Sequence, residues 1–538
     1  MPLSQLTWSF AWKTTASVLL LFVSSYLFKL LVLWPLRSPL RRLPGPKAPG
    51  WFVGHLRTIL DPNISHKALH NYMNDYGKTF KVQGLGYFDD RLITFDTRAI
   101  THILHRAVEN YPKPWQSRAI IARLIGEGLF VSEGDQHKRQ RKILNPAFSG
   151  QSLRDLIPTF VDKAEELRDR WASLIASGTE HIDCAPWLGR ATFDIIGLAG
   201  FDYQFNAIQN EDNELHLAYR DMFNLAVNHN NQMVKTALEI YFPFIEWLFP
   251  DKRNRQIRRS QAVISRIGSK LVSEKREAIL SEKGGLSADH VGNKDILSLL
   301  IKSNLAEAEG QRLSDEELLA QVSTFLLVGS ESTSISLSWT LYLLAQNTDI
   351  QTKLRDEVLQ NPSQASLLDL PFLDNVVKEA LRLIPPVHGT LRAAVKDDFI
   401  PTSEPVTMKD GTQQFGVNIA KGQFVQVAYD GFNLMKEVWG EDAWDFVPSR
   451  WENLPDAVRS QPGLVTGLMS FSLGPHSCIG ARFSIIQMKF LLATLISAFI
   501  FSDPPNTAKV YCIVTRPYTR GQFSKGSRLP LRVTPCFS

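Results

Sequence analysis

Apolar residues along most of this chain recur at intervals of three and four, the period of a helix with one buried face. Residues 150–310 read mainly as amphipathic helices joined by polar loops, with 151–177 and 255–283 the clearest. A longer helical pattern runs over 314–347, where Ser314 is the N-cap and Glu317, three residues on, completes a capping box. Helical stretches are also predicted over 97–110, 133–148, 371–384 and 481–501; in the last, Phe483, Ile486, Phe490, Leu491 and Leu495 recur at helical spacing. Strand-like runs are fewer: 79–84, 92–96, several between 391 and 429 with Asp410-Gly411 as a hairpin turn, and more over 508–535. The Pro- and Gly-rich stretch 111–130 and the polar stretch from Gly284-Gly285 to 294 are expected to be loops.

The front of the chain breaks this pattern. Residues 14–28 carry no charge, and apolar character continues past Lys29 to Leu36, approaching the ~20 residues that cross a bilayer. A cleaved signal peptide is the competing reading, but no small-x-small cleavage site follows. Arg37, Arg41, Arg42 and Lys47 follow, against one Lys before the segment, which places the main body in the cytosol by the positive-inside rule. Lys29, near a helix end, can snorkel to the interface. The run LPGPKAPG at 43–50 cannot continue a helix and makes a short, stiff connector. The expected organisation is a membrane anchor over 1–36, a basic, proline-rich hinge over 37–50 and one large domain over 51–538. In a cytosolic body the acceptor pattern Asn63-Ile64-Ser65 stays unglycosylated.

Composition narrows the class. The 538 residues are 44% hydrophobic, ample for a large core, with a net charge of +5. No long basic run with interleaved aromatics occurs, so the pattern offers no nucleic-acid partner. Cys184, Cys478, Cys512 and Cys536 are far apart and form no CxxC pair or disulfide framework, which suits a reducing compartment.

Candidate chemistry sits at four places. In FSLGPHSCIG (471–480), Cys478 precedes a predicted helix, whose N-terminal N–H groups lower a thiol's pKa and favour the metal-binding thiolate. Gly474 and Gly480 let the backbone turn and approach a planar ligand, and Phe471 can cover the sulfur. Taken alone, a single cysteine reads as a buried, inert core thiol; the ten-residue frame around Cys478 is what changes that reading. In VGSESTS (328–334), small polar residues interrupt a helix interior, where Gly costs about 1 kcal/mol against Ala, so a kink is expected. There Glu331 followed by Ser332 and Thr333 forms a proton-relay set; the plainer alternative is a close helix crossing. Glu379 and Arg382 share a helix face, as in many surface pairs worth under about 1 kcal/mol. His137 and Arg141 share a face of a basic helix that composition alone would leave solvated.

Together these stretches resemble, in order, the motifs of the cytochrome P450 family over everything after residue 40. The resemblance implies a mainly α, triangular single domain with a small β-rich region. It implies haem (heme b) with Cys478 as the axial iron ligand, Gly329 leaving room for dioxygen, and Glu331, Ser332 and Thr333 handling protons. Arg141, Arg392, His137 and His476 would hold haem propionates; many members have Trp at the place of His137, Arg at that of His476 and Thr at that of Ser332. Glu379, Arg382 and Arg450 (in FVPSRW, 446–451) would form a buried charge cluster, and residues 387–391 would line the substrate cavity. The implied reaction inserts one oxygen atom into an apolar small molecule. The implied partners are an NADPH-dependent flavoprotein reductase and the lipid of the endoplasmic reticulum membrane. The departures at His137, Ser332 and His476 look most like fungal microsomal members, many of which tailor terpenoids or other specialised metabolites. Rival readings are a haem-thiolate isomerase or dehydratase working without reductase, a fatty-acid or xenobiotic hydroxylase, a haem carrier or sensor, and a tethered scaffold.

Overall fold

The structure, a computed structural model, describes residues 14, 17–18, 20–25, 28–51, 53–227, 252–283, 295–308, 311–364, 366–512 and 514–536. They fall into two units, Met1–Pro112 with Gly389–Gly431, and Lys113–His388 with Phe432–Ser538.

The first unit is built on a four-stranded sheet in the order Thr79–Gln83, Asp90–Thr94, Phe424–Ala428, Gly389–Ala393. Its outer pairs are antiparallel and its central pair is parallel. Phe80, Val82, Leu92, Ile93, Val425 and Val427 bury the sheet's apolar positions. A hairpin of Asp398–Thr407 with Gln413–Ile419 turns at Asp410-Gly411, where Gly411 has φ +82° and Asp410 Oδ1 accepts from Thr412 N. The single helix expected over 97–110 is instead three short pieces, Thr97–Thr101, the π-helical His102–Arg106 and Val108–Asn110. The π turn carries His102, which with Tyr111 bonds to Asp398 Oδ2. Ser65 is buried and its hydroxyl donates to Asp430.

The second unit is mostly helical. Its main helices are Trp115–Ile125 (α1), Gly134–Leu144 (α2), Ile157–Ala176 (α3), Cys184–Phe201 (α4), Lys252–Lys283 (α5), Asp315–Gln346 (α6), Pro371–Leu383 (α7) and Ala481–Ala498 (α8). The core runs through all eight. At 32 residues, α6 is about 48 Å long at ~1.5 Å per residue. It is buried on nearly every side over its middle and C-terminal half, as expected of a helix apolar all round. Ser314 and Glu317 form the capping box at its start, at 3.2 and 3.0 Å. Two small antiparallel sheets complete the unit: the hairpin Thr507–Cys512 with Val514–Thr519, and Pro530–Pro535 between His181–Asp183 and Phe499–Ser502.

Two further expectations change, and two others fall partly or wholly outside the described residues. The loop expected over 111–130 contains α1, because QSRAIIARLI is a run of mostly good helix formers bounded by Pro114 and Gly126, the latter at φ +80°. The kink expected at 328–334 does not interrupt α6, which is α-helical throughout. The anchor expected over 1–36 falls partly outside the described residues, and in its described part the backbone is π-helical over Lys29–Leu33. Among the described residues the one helix long and apolar enough to cross a membrane is α8, and 61% of it is buried inside the protein, as a core helix would be. The loop expected to run from Gly284-Gly285 to 294 lies outside the described residues.

Replacing Ser314 by Ala should remove the cap of α6 and cost about 1 kcal/mol. Urea denaturation should show a lower midpoint with an unchanged slope.

Candidate active site

Cys478 lies on a loop that folds back on itself before α8. Its N–H donates to Phe471 O at 2.9 Å, and Ser477 N donates to Gly474 O at 2.9 Å. Gly474 has φ +73°, a conformation that favours glycine, and buried Phe471 sits at the loop's base. Gly480, at φ −89°, has no such need. A Cβ added there would meet only Phe148 Cε1, at 3.9 Å. Neither backbone conformation nor crowding by the protein therefore calls for glycine at 480. A flat group lying against the backbone would.

The Cys478 residue is solvent-accessible, yet burial pushes its thiol pKa up. A concave wall has both properties. The expectation of a lowered thiol pKa is thus corrected: burial outweighs the N–H of Gly480 and the nearby charge of Arg141, which pull the other way. Bonding to a metal is a separate stabilisation of the thiolate.

Helix α2 meets this loop. Arg141 donates from Nη1 to Ser477 O at 2.6 Å and from Nε to Asn145 Oδ1 at 3.2 Å. The rings of His137 and His476 lie 3.9 Å apart between centroids, tilted by 34° to each other. His476 Nε2 lies 3.1 Å from Glu133 Oε2, while Glu133 Oε1 accepts from Lys113 N at 3.0 Å and pairs with Lys113 Nζ at 3.2 Å. Burial, then the charges of His476, Lys113 and Arg141, hold the His137 pKa down at about 3, so the ring is neutral at physiological pH. Burial alone would raise the Glu133 pKa, but the hydrogen bond from His476 and the charge of Lys113 hold it at about 2. A cleft of 450 Å³ beside this contact is lined by His137, Lys138, Arg141, Lys142, Gly474 and Pro475, among others. Glu133 and Lys113 had no motif to announce them.

On α6 the hydroxyls bond back to the helix. Ser332 Oγ donates to Val328 O at 2.8 Å, Ser336 Oγ to Ser332 O at 2.9 Å and Thr340 Oγ1 to Ser336 O at 2.7 Å; Thr333 Oγ1 reaches Gly329 O at 3.4 Å. These bonds satisfy the polar groups without breaking the helix. Gly329 faces α4, where a Cβ would come within 3.3 Å of Ile196 Cδ1. The close crossing is thus one physical reason for a glycine there. Glu331 pairs with Arg516 of the Val514–Thr519 strand at 2.6 Å.

The Glu379–Arg382 pair is fully buried, both side chains 0% exposed. Arg382 Nε and Nη2 each donate to one Glu379 oxygen at 2.8 Å. Arg450 Nε and Val447 N add to Oε1, and Trp451 Nε1 donates to Oε2 at 3.0 Å. Arg382 also reaches the carbonyls of Ala443, Asn433 and Asp445, and its guanidinium lies over the Trp439 ring. Arg450 extends the cluster to Asp442 at 3.0 Å. Ser449, where the resemblance has Glu, is exposed and outside it. Arg392 is buried in the first unit, on the strand Gly389–Ala393 opposite Val425. Among the described residues no group of three or more His, Cys, Asp or Glu could hold a metal ion.

The sequence pattern of cytochrome P450 matches residues 43–513. Cytochrome P450 monooxygenase 128 of Postia placenta is 39% identical over 96% of this chain and 97% of its own length. Ganoderic acid synthetase of Ganoderma lucidum is 35% identical over 86% and 88%, and the monooxygenase claP of Ampulloclitocybe clavipes 34% over 92% and 93%. The chain belongs to the cytochrome P450 family, among fungal relatives. It is accordingly a monooxygenase, and the family's cofactor is a haem whose iron is bound by a cysteine thiolate.

Arg382→Met should take from the buried Glu379 carboxylate its bidentate partner, leaving Arg450 on one oxygen, and cost about 3–5 kcal/mol, read as a large loss of melting temperature or of folded yield. Acid should destabilise the protein in two overlapping windows. His137 is depressed from 6.5 to about 3, so the unfolded chain binds the extra proton and stability falls as pH drops below about 6.5. The contribution of Glu133 is present above its ordinary 4.5 and is lost as pH falls toward 2. Melting temperature against pH should lose the upper part of its slope in His137→Gln; an unchanged slope would contradict the assignment.

Proposed function

We propose that this chain inserts one oxygen atom from O2 into an apolar small molecule, by hydroxylation or epoxidation, with Cys478 as the thiolate ligand of its haem. The observation that carries this reading is the contact of Arg141 with the Cys478 loop, which sets a cation beside the thiol within hydrogen-bond reach of Ser477. Bound haem supplies the oxygen-activating chemistry, its electronics tuned by the thiolate. Arg141, His137, His476 and Arg392 are the groups for its carboxylates, donating hydrogen bonds and, from the arginines, charge. Phe471 keeps water from the sulfur. Glu331 takes protons from the solvent side, and Ser332, with Thr333 next to it, passes them on. To do so the Ser332 hydroxyl must turn from Val328 O, to which it donates at 2.8 Å. Serine lacks the methyl that restricts threonine's rotamer, so this turn is easier and less selective.

Electrons come from NADPH through a flavoprotein reductase. Exposed Lys138 and Lys142 at the cleft beside the Cys478 loop favour an acidic partner there. The exposed apolar side chains Val18, Leu20, Leu21, Phe22 and Phe28 suit lipid, which supports an N-terminal anchor in the endoplasmic reticulum membrane with the catalytic body in the cytosol. The name of the Ganoderma relative, ganoderic acid synthetase, supports a specialised metabolite, terpenoid or other, as substrate. A panel of such compounds, screened by the spectral change that binding produces at the haem, would identify it.

Cys478→Ser should abolish the thiolate-type Soret shift of the reduced protein under carbon monoxide; a variant that keeps it would overturn the ligand assignment. Ser332→Thr should raise product formed per NADPH consumed and lower peroxide release. No change in that ratio would count against Ser332 as the relay hydroxyl.

A further inference from the structure

Glu331 is the only Asp, Glu, Lys, Arg or His between residues 318 and 346. A carboxylate in so apolar a helix needs a partner, and Arg516 supplies it at 2.6 Å, with side-chain exposures of 24% for Glu331 and 5% for Arg516. Arg516 is held from the strand side. Its neighbour Thr515 donates from N to Pro386 O at 2.7 Å and accepts at O from Trp339 Nε1 at 2.7 Å. Trp339 is on α6 itself, eight residues beyond Glu331, and is buried. The strand is also paired in register with its hairpin partner, Arg516 opposite Val510 and Thr515 opposite Tyr511, and the Tyr511 ring lies 4.3 Å from that of His388. The backbone that bears Arg516 is therefore clamped to the same helix that bears the acid.

We propose that Arg516 is the positioning residue for Glu331: it fixes where the carboxylate rests and to which point it returns after each proton transfer. This rests on Glu331 being the relay acid. With Arg516 clamped, Glu331 is the moving half of the pair. It leaves the guanidinium, takes a proton from solvent water and gives it to the Ser332 oxygen, which releases its own hydroxyl proton into the site. Ser332 is left a hydroxyl, and Glu331 is left a carboxylate that re-pairs with Arg516. Proton delivery is thereby tied to the 507–519 hairpin, which no short motif marks.

The test uses the full chain with its reductase and a compound it turns over, in Arg516→Met, Arg516→Lys, Glu331→Gln and the Glu331→Gln/Arg516→Met double variant. Arg516→Met should cut product per NADPH roughly tenfold, less than the ~100-fold or more a proton-transferring group contributes, with KM little changed and a larger solvent deuterium isotope effect. Arg516→Lys should restore much of the ratio, and the double variant should be no worse than Glu331→Gln. Melting temperature gives a readout apart from turnover: Glu331→Gln removes the negative half of the pair and should lower it, and the double variant should recover part of the loss. Unchanged product per NADPH in Arg516→Met while Glu331→Gln uncouples would overturn the role of Arg516 alone. An unchanged ratio in Glu331→Gln would overturn the relay reading itself.

Discussion

One buried carboxylate holds a large share of the second unit in place. Glu379 is withdrawn from water and would be untenable without donors on both oxygens. Those donors come from two places in the chain: Arg382 on the same helix, and Val447, Arg450 and Trp451 from a segment far along it. Arg382 spends its remaining N–H groups on the carbonyls of Asn433, Ala443 and Asp445. A segment with little regular structure is thus pinned to α7 by charge-assisted hydrogen bonds rather than by a ladder. The residues that follow lead, through buried Leu468, Met469 and Phe471, to the cysteine loop. The position of the thiol depends on that pinning.

At the thiol the physics changes from satisfaction of a charge to its control. Burial disfavours the thiolate, and Arg141 and the N–H of Gly480 oppose burial. Two histidines, His137 and His476, adjoin the loop that carries the thiol. One ring is held neutral, and the other is engaged with Glu133. Glu133 and Lys113 belong to this arrangement as much as the two histidines do.

Helix α6 reconciles two demands that conflict in most helices. It is long, buried and apolar, yet carries a row of hydroxyls and one acid at its middle. The hydroxyls remain helical by donating to carbonyls one turn back, and the acid by reaching a guanidinium from a strand. Small side chains serve a second purpose, since Gly329 lets α4 approach through Ile196. Close helix packing, back-bonded hydroxyls and one acid therefore share a short stretch.

The long helices, the capping box at Ser314, the turn at Asp410-Gly411 and the order of the motifs were legible in the chain, because each depends on neighbours within a few residues. The pairing of Glu379 with Arg382 was legible for the same reason: three residues apart on a helix, they share a face. Helix α1 was masked by the prolines and glycines that bound it, and the unbroken course of α6 by hydroxyls whose back-bonding no composition displays. What the tertiary structure alone decided was partnership at a distance: Arg516 with Glu331, Glu133 with His476, Trp451 with Glu379, and the pKa of Cys478. Local pattern determines which residues share a face. Which charge meets it, and how much water is excluded there, is settled only when segments far apart in the chain pack together.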